Sequence, residues 1–342
     1  MAMDDRKQRI MMAIVSLYSA EGEPVGSNLL CQHFDMAVSS ATLRNEMAAL
    51  TRLGLLEQPH TSAGRVPTAK GYRYYVDTLL QNPFTLPQRD KDALDATFRT
   101  LDYDPEKMAQ GAAKALSDLL GYAVIATTPQ ADDMSIAHFE VLQVGRYTAA
   151  VLAVTAAGGV RTRVAKVDFE LAEGDAGAIA RVLNGHLRFV AEADVDSALI
   201  RRMVDSLGAN GPRSWPLLSA ALTLLGEVGR PNIYFEGQKH LLQWPELENS
   251  LRPLIETLDD TARMEKLLRP RSGHTTVLFG DEFPEAPAPG MCLVSRQYLA
   301  GGGLSGVIAV AGPARMPYRE VIPRLEYFSE LLGQGMSGMA AH

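Results

Sequence analysis

Between Ser39 and Arg73 the chain reads SSATLRNEMAALTRLGLLEQPHTSAGRVPTAKGYR, and its reactive side chains are hydrogen-bond donors rather than nucleophiles. Arg44, Asn45 and Arg52, with Thr42 beside them, are residue types that read base edges. In a DNA major groove Arg pairs with guanine and Asn with adenine. Arg65, Lys70 and Arg73 come after them as cations suited to phosphate, the planar guanidinium of Arg65 also suiting a narrow minor groove. From Ser39 to Tyr75 five Lys/Arg stand against two acids, Glu46 and Glu57, in a chain of formal net charge −7. That local excess marks a phosphate-facing surface. A helix face carrying Asn and Arg is, taken alone, equally a solvated face. The two helices before it and the basic hairpin after it tip the balance towards nucleic acid.

The positioning elements are legible from spacing. Leu43, Met47 and Leu50 recur at four and three residues, the mark of a helix with one buried stripe. At about 100° per residue, Asn45, Ala48 and Arg52 fall on the opposite face, flanked by Thr42 and Arg44. Ser39 and Ser40 suit the helix N-terminus, where a hydroxyl accepts from free backbone N–H groups, and a phosphate contact is a second role open to them. Gly54 ends the helix. Leu55–Glu57 reads as a strand, Pro59–Gly64 as a turn and Arg65–Thr68 as the returning strand. His60 has two roles open to it there: a phosphate or minor-groove contact, or a turn residue satisfying local backbone. Two helices precede this module. The first spans Arg6–Ala20 with Ile10, Ile14 and Leu17 on one stripe; the second, capped by Ser27, runs through Phe34. After a turn at Asp35–Val38 comes the serine-capped helix, so the order is that of a helix-turn-helix carrying a basic wing.

Composition bounds the rest. The chain of 342 residues is long enough for two or three domains, and 46% hydrophobic with 21% charged residues is a globular balance. Eight Lys/Arg offset eight Asp/Glu in residues 1–80, so the net −7 lies in the remainder, and non-specific DNA affinity is confined to the N-terminal module. Two cysteines, Cys31 and Cys292, form no Cys-x-x-Cys or Cys/His cluster, which argues against zinc or a disulfide framework and for a reducing cytoplasm. The apolar IMMAIVSLYSA stretch comes after Asp4 and Asp5 and leads to no small-residue cleavage site, so it reads as a helix rather than a signal peptide. No run is long enough to span a bilayer. Gly301-Gly302-Gly303 lacks the Lys-Ser/Thr of a phosphate loop and reads as a hairpin between strands. No metal spacing joins the seven histidines, and no Gly-x-Ser-x-Gly elbow is present. The expectation is a binding protein, without cofactor or metal and not an enzyme.

Downstream, Gly71–Leu80 reads as a helix, ended by Asn82-Pro83 and Leu86-Pro87. Further helices span Arg89–Leu101 and Pro105–Leu120. From Tyr122 the period shifts to strands: YAVIATTP, AHFEVLQV, YTAAVLAVTA and RTRVAKVDFE, with turns at Gly145 and Gly158-Gly159. The last is expected to turn Arg161 and Arg163 outward and the residues between them inward. Asp175 to about Val228 is helical, as is Leu251–Leu268. Strands return at HTTVLFG, MCLVSRQYL and LSGVIAVAG before a final helix over Tyr318–Leu332. Strands, a helical block and strands again imply an α+β sheet domain carrying an insertion.

The strings GEPVGS (Gly22–Ser27), SSATLRNEMAAL (Ser39–Leu50), GLLEQPHTSAGRVPT (Gly54–Thr68) and GYRYYVDTLL (Gly71–Leu80) closely resemble the heat-inducible transcription repressor family HrcA. A weaker likeness continues through IYFEGQKHLL (Ile233–Leu242) and GPARMPYREVI (Gly312–Ile322). The resemblance implies a winged helix over 1–75, a helical linker over 76–104 and a GAF-like domain in two parts, 105–172 and 241–342. Between those parts it implies an inserted, largely helical dimerising domain over 173–240. It further implies a cytoplasmic repressor of groE- and dnaK-type chaperone operons, a homodimer on the double-stranded CIRCE inverted repeat, kept active by the chaperonin GroEL. The other reading open is a ligand-gated regulator whose GAF-like domain senses a small molecule.

Overall fold

The computed structural model describes residues 4–338 except 35–36, 62, 82–83, 103, 132–134, 157–158, 229, 259, 269–273, 285–286 and 302. The expected turn at Asp35–Val38, the break at Asn82-Pro83 and the pairs and triplets containing Gly158 and Gly302 therefore fall wholly or partly outside the described residues.

The N-terminal head is built from α1 (Asp5–Glu21), α2 (Ser27–His33), α3 (Ser40–Arg52), β1 (Leu56–Glu57), β2 (Val66–Pro67) and α4 (Ala69–Gln81). Asp4 caps α1 by accepting from the Lys7 N–H at 2.8 Å, and Gly22 closes it in the left-handed region at φ 73°. Ile10, Met11, Ile14, Leu30, Leu43, Met47, Leu50, Leu56 and Val76 are all buried in the head's core, whereas Leu17, read on the α1 stripe, is half-buried. The wing is tied down at its base: Val25 and Arg65 exchange backbone bonds of 3.0 and 2.9 Å across an antiparallel bridge. Gly64 makes that approach possible, since a Cβ there would sit 2.4 Å from the Val25 carbonyl.

Next come α5 (Gln88–Phe98), α6 (Pro105–Leu120), β3 (Ala123–Thr127), β4 (Gln130–Ala131), β5 (Ile136–Gly145), β6 (Thr148–Thr155) and β7 (Val160–Lys166). After these lie α7 (Asp175–Leu187), α8 (Ser197–Ser206), α9 (Trp215–Val228), β8 (Ile233–Glu236), α10 (Glu248–Leu258) and α11 (Thr261–Leu267). The chain then runs through β9 (Thr276–Phe279), β10 (Met291–Gly301), β11 (Leu304–Pro313) and α12 (Tyr318–Met336). One sheet has the order β8-β3-β11-β10-β9, with β4 paired to the start of β11. All five residues of β3 are buried, as a central strand covered on both faces requires. Gly301 and Gly303 carry φ of 78° and 79° in the connection from β10 to β11.

Two compact units result: residues 1–128, 233–299 and 306–342 form one, and residues 129–232 with 300–305 the other. The head therefore belongs with the larger sheet. The second unit is wider than the expected insertion at 173–240, because it takes β5–β7 with it and releases β8 to the larger sheet. Strand content does not say which core a strand joins. Here Phe139, Val141, Val151 and Ala153 pack with Leu183, Leu187, Leu217 and Leu224 of α7 and α9. Asn184 fastens α7 to β5, accepting from the Phe139 N–H at 2.8 Å and donating to its carbonyl at 2.7 Å. In the head, the expected limit at residue 75 falls inside α4.

The orientation expected for β7 is reversed. Register places Arg163 beside Val151 and Arg161 beside Ala153, on the face that packs against the helices. Val160 and Val164 point the other way and are 57% and 65% exposed. Arg163 on that face is tolerated because its guanidinium pairs with Glu227 of α9.

Candidate nucleic-acid interface

The geometry of the head is set by short polar links between its helices. Ser39 is the N-cap of α3, its hydroxyl accepting from the Thr42 N–H at 3.2 Å and lying 2.9 Å from the Thr42 hydroxyl. Ser40 does not cap. Its hydroxyl lies 2.9 Å from that of Ser27 and donates to Asn28 Oδ1 at 3.2 Å, which locks the first turn of α3 onto α2. The N-cap of α2 is Gly26, with no side-chain bond, so the cap expected of Ser27 is corrected. The Ser27 hydroxyl instead accepts from Arg44 Nε at 3.2 Å. Spacing within one helix does not assign Ser27 and Asn28 to this surface; the signal that does is the helix-turn-helix order, which brings the first turns of α2 and α3 together.

With Leu43, Met47 and Leu50 buried, Arg44, Asn45 and Arg52 are exposed and Thr42 is half-buried on the outward side of α3. Glu46, the acid in this helix, is turned to Lys7 of α1 at 3.3 Å. Lys7 is held between Asp4 and Glu46, and these two acids raise its pKa above the ordinary ammonium value, Asp4 the more strongly. The outward face is thereby left cationic, an arrangement that suits a groove walled by phosphates.

The wing side divides the remaining residues. Arg65 is half-buried at the wing's base, its Nε donating to Thr51 Oγ1 at 3.2 Å while Thr51 donates to the Met47 carbonyl at 2.9 Å. His60 is exposed at the tip, its carbonyl accepting from the Ala63 N–H at 2.9 Å. Gln58, which spacing does not single out, stiffens that tip through donations to the Thr61 and Ala63 carbonyls at 2.9 and 3.0 Å. Lys70 Nζ donates to the Leu53 carbonyl at 3.0 Å, at the C-terminal end of α3, where a cation is favoured.

Arg73 stands apart. Its guanidinium is paired with Glu282, lies 3.9 Å from Asp77 and covers the Phe279 ring at 4.8 Å from the centroid. The structure thus engages Arg73, expected among the cations that hold the wing and backbone, with Glu282, Asp77 and the Phe279 ring of the body.

Among the described residues no group of three or more His, Cys, Asp or Glu is placed to hold a metal ion, and no helix is long and apolar enough to cross a membrane. A cleft of about 380 Å³ lies within the second unit, lined among others by Phe169, Arg181, His186, Asn210 and Ser214. The Ser214 hydroxyl is buried without a hydrogen-bond partner.

Residues 3–78 match the family described as winged helix-turn-helix transcription repressor, HrcA DNA-binding, and residues 106–322 match the HrcA protein C terminal domain. The chain is 33% identical over 342 residues to the heat-inducible transcription repressor HrcA of Desulforudis audaxviator, covering 98% of each. It is 31% identical over 344 residues to that of Pelotomaculum thermopropionicum, covering 98% of this chain and 97% of the relative. A crystal structure of a hypothetical protein at 2.2 Å resolution shares the fold at TM-score 0.62 and 24% identity, over 99% of this chain and 100% of that one.

Proposed function

The chain belongs to the HrcA family of heat-inducible transcription repressors, and we propose that it acts as a homodimer on the CIRCE inverted repeat ahead of groE- and dnaK-type chaperone operons. It is a DNA-binding repressor with a winged helix, not an enzyme. The observation that carries the finer reading is the outward face of α3, where Thr42, Arg44, Asn45 and Arg52 are presented together while Lys7 neutralises Glu46. In this reading Arg44, Asn45 and Arg52 meet base edges, with Thr42 at their flank. Ser39 and Ser40 set the start of the helix within reach of phosphate, and Arg65, His60 and Lys70 hold the wing on the backbone.

Two half-sites require two heads. Support for a second copy comes from the three-stranded sheet, whose outer face bears Leu142, Val160 and Val164, each between 49% and 65% exposed. These three side chains share one face of β5 and β7 with His138, Glu140 and Thr162, and Leu152 and Val154 of β6 continue it half-buried between them. A bare face whose valines and leucines surround the Glu140–His138 pair suits a self-complementary contact with both apolar and polar parts.

The chaperonin GroEL enters through linkage. When the DNA-competent state is marginally stable, a chaperonin that replenishes it sets operator occupancy, and heat-unfolded proteins that divert the chaperonin relieve repression. The site of action is the cytoplasm. Footprinting on chaperone-operon promoters, with and without GroEL, tests both parts. Protection of an inverted repeat that strengthens with chaperonin is expected; protection without such a repeat defeats the operator assignment, and indifference to GroEL defeats the linkage.

The second reading, a ligand-gated regulator, draws on the cleft near Ser214, which lies in the unit of residues 129–232 rather than in the larger sheet where a GAF-like receptor was expected. A strong, saturable thermal shift with a metabolite would favour it.

A further inference from the structure

The last turns of the head are held by an aromatic cluster. Tyr72 and Tyr75 of α4 are buried; the Tyr72 ring lies 6.0 Å from Phe279 at the end of β9 and 6.5 Å from Tyr318 at the start of α12. Tyr75 lies 6.2 Å from Tyr318, and Phe279 and Tyr318 meet at 6.4 Å. Apolar burial of this kind attracts without direction, so it fixes that the head docks and not at what angle. Direction comes from the rim. Glu282 accepts the Phe279 N–H at 2.9 Å, which fixes its carboxylate to the end of β9, and Arg73 of α4 pairs with that same carboxylate while covering the Phe279 ring.

A charge-assisted bond to a carboxylate already fixed by backbone has defined geometry. The two side chains are 32% and 45% exposed, so the pair adds little to folding stability. An orienting role remains for it. At the other end of the head the contact is steric: Arg315 of the body, held by Glu246 and 4.6 Å over the Trp244 ring, lies against Gly22 at the end of α1.

We infer that Arg73 and Glu282 are a positioning pair, which sets the angle of the DNA-reading head on its own body and thereby the half-site spacing that a dimer accepts. The inference rests on the proposed inverted-repeat reading. In a symmetric dimer each recognition helix is placed by its own mounting, so a loosened mounting widens the accepted spacings without changing what one head reads.

The test uses the full chain and inverted repeats whose centre is lengthened or shortened in single base-pair steps, together with a lone half-site. The wild type is expected to prefer one spacing. Arg73→Ala and the isosteric Glu282→Gln should each cut that preference by about tenfold, a change of about 1.4 kcal/mol, while half-site affinity stays within about twofold. If Arg73→Ala weakens every DNA equally and Glu282→Gln does not, Arg73 is a phosphate contact and the inference falls. It falls equally if both variants keep the wild-type preference. A wild type indifferent to the repeat itself overturns the operator reading, a failure distinguishable from loss of the positioning role alone.

Discussion

The outward face of α3 and the outer face of the β5–β6–β7 sheet are both left bare, and they differ in chemistry: one is cationic, the other largely apolar. On α3 the exposed residues are Arg44, Asn45 and Arg52, with the nearby acid drawn off by Lys7. On the sheet they are mainly Leu142, Val160 and Val164, set around the mutually paired Glu140 and His138, and the arginines of β7 lie on the helix-packed side instead. Amphipathic spacing identifies which residues share a face. It does not say whether that face meets water, nucleic acid or protein, because a covering partner is absent from the pattern. A cationic bare face is suited to phosphate and base edges; an apolar one gains by being buried against its own kind.

The contrast can be broken most severely on the apolar side. Val164→Asp would force a carboxylate into the proposed dimer contact, at a cost of about 3 kcal/mol or more. Sedimentation velocity should show the dimer dissociation constant raised by about a hundredfold or beyond, with the thermal melt nearly unchanged because the residue lies outside the unit's core. A variant that dimerises as tightly as the wild type would remove this sheet from the interface.

On the cationic side the effects are smaller and sequence-dependent. Arg44→Ala or Asn45→Ala should lose about 1–3 kcal/mol of operator discrimination for each bidentate contact removed. Competition binding against mutated half-sites measures this, and an undiminished specific complex would take both residues out of base reading. Smallest is Arg65→Ala. Its loss should weaken binding to all sequences alike and reduce the slope of log affinity against log salt by about 0.9. An unchanged slope would leave Arg65 as a strut between wing and helix through Thr51.

The two arginines of α3 and the one in α4 show how far the sequence reaches. Arg44 and Arg52 are legible as outward residues because Leu43, Met47 and Leu50 fix the phase of their own helix. Arg73 obeys the same local rule, being on the flank of a helix whose Tyr72, Val76 and Leu79 are buried. Its partner Glu282 lies some two hundred residues on, and no local spacing announces it. Ser39 is recognisable as a cap for the reason that a cap acts within its own turn, whereas Ser40 and Ser27 bond across two helices.

By itself the sequence determined what depends on neighbours within a few residues: the helices and hairpin of the head, its buried stripe and cap, the α+β succession, and the long motifs that mark the family. Tertiary structure decided which core each strand joined, which way β7 turned its valines, and that Arg73 faces Glu282. Those outcomes depend on which surfaces compete for burial once the chain has folded back, and contacts made at long separation leave no period in the sequence.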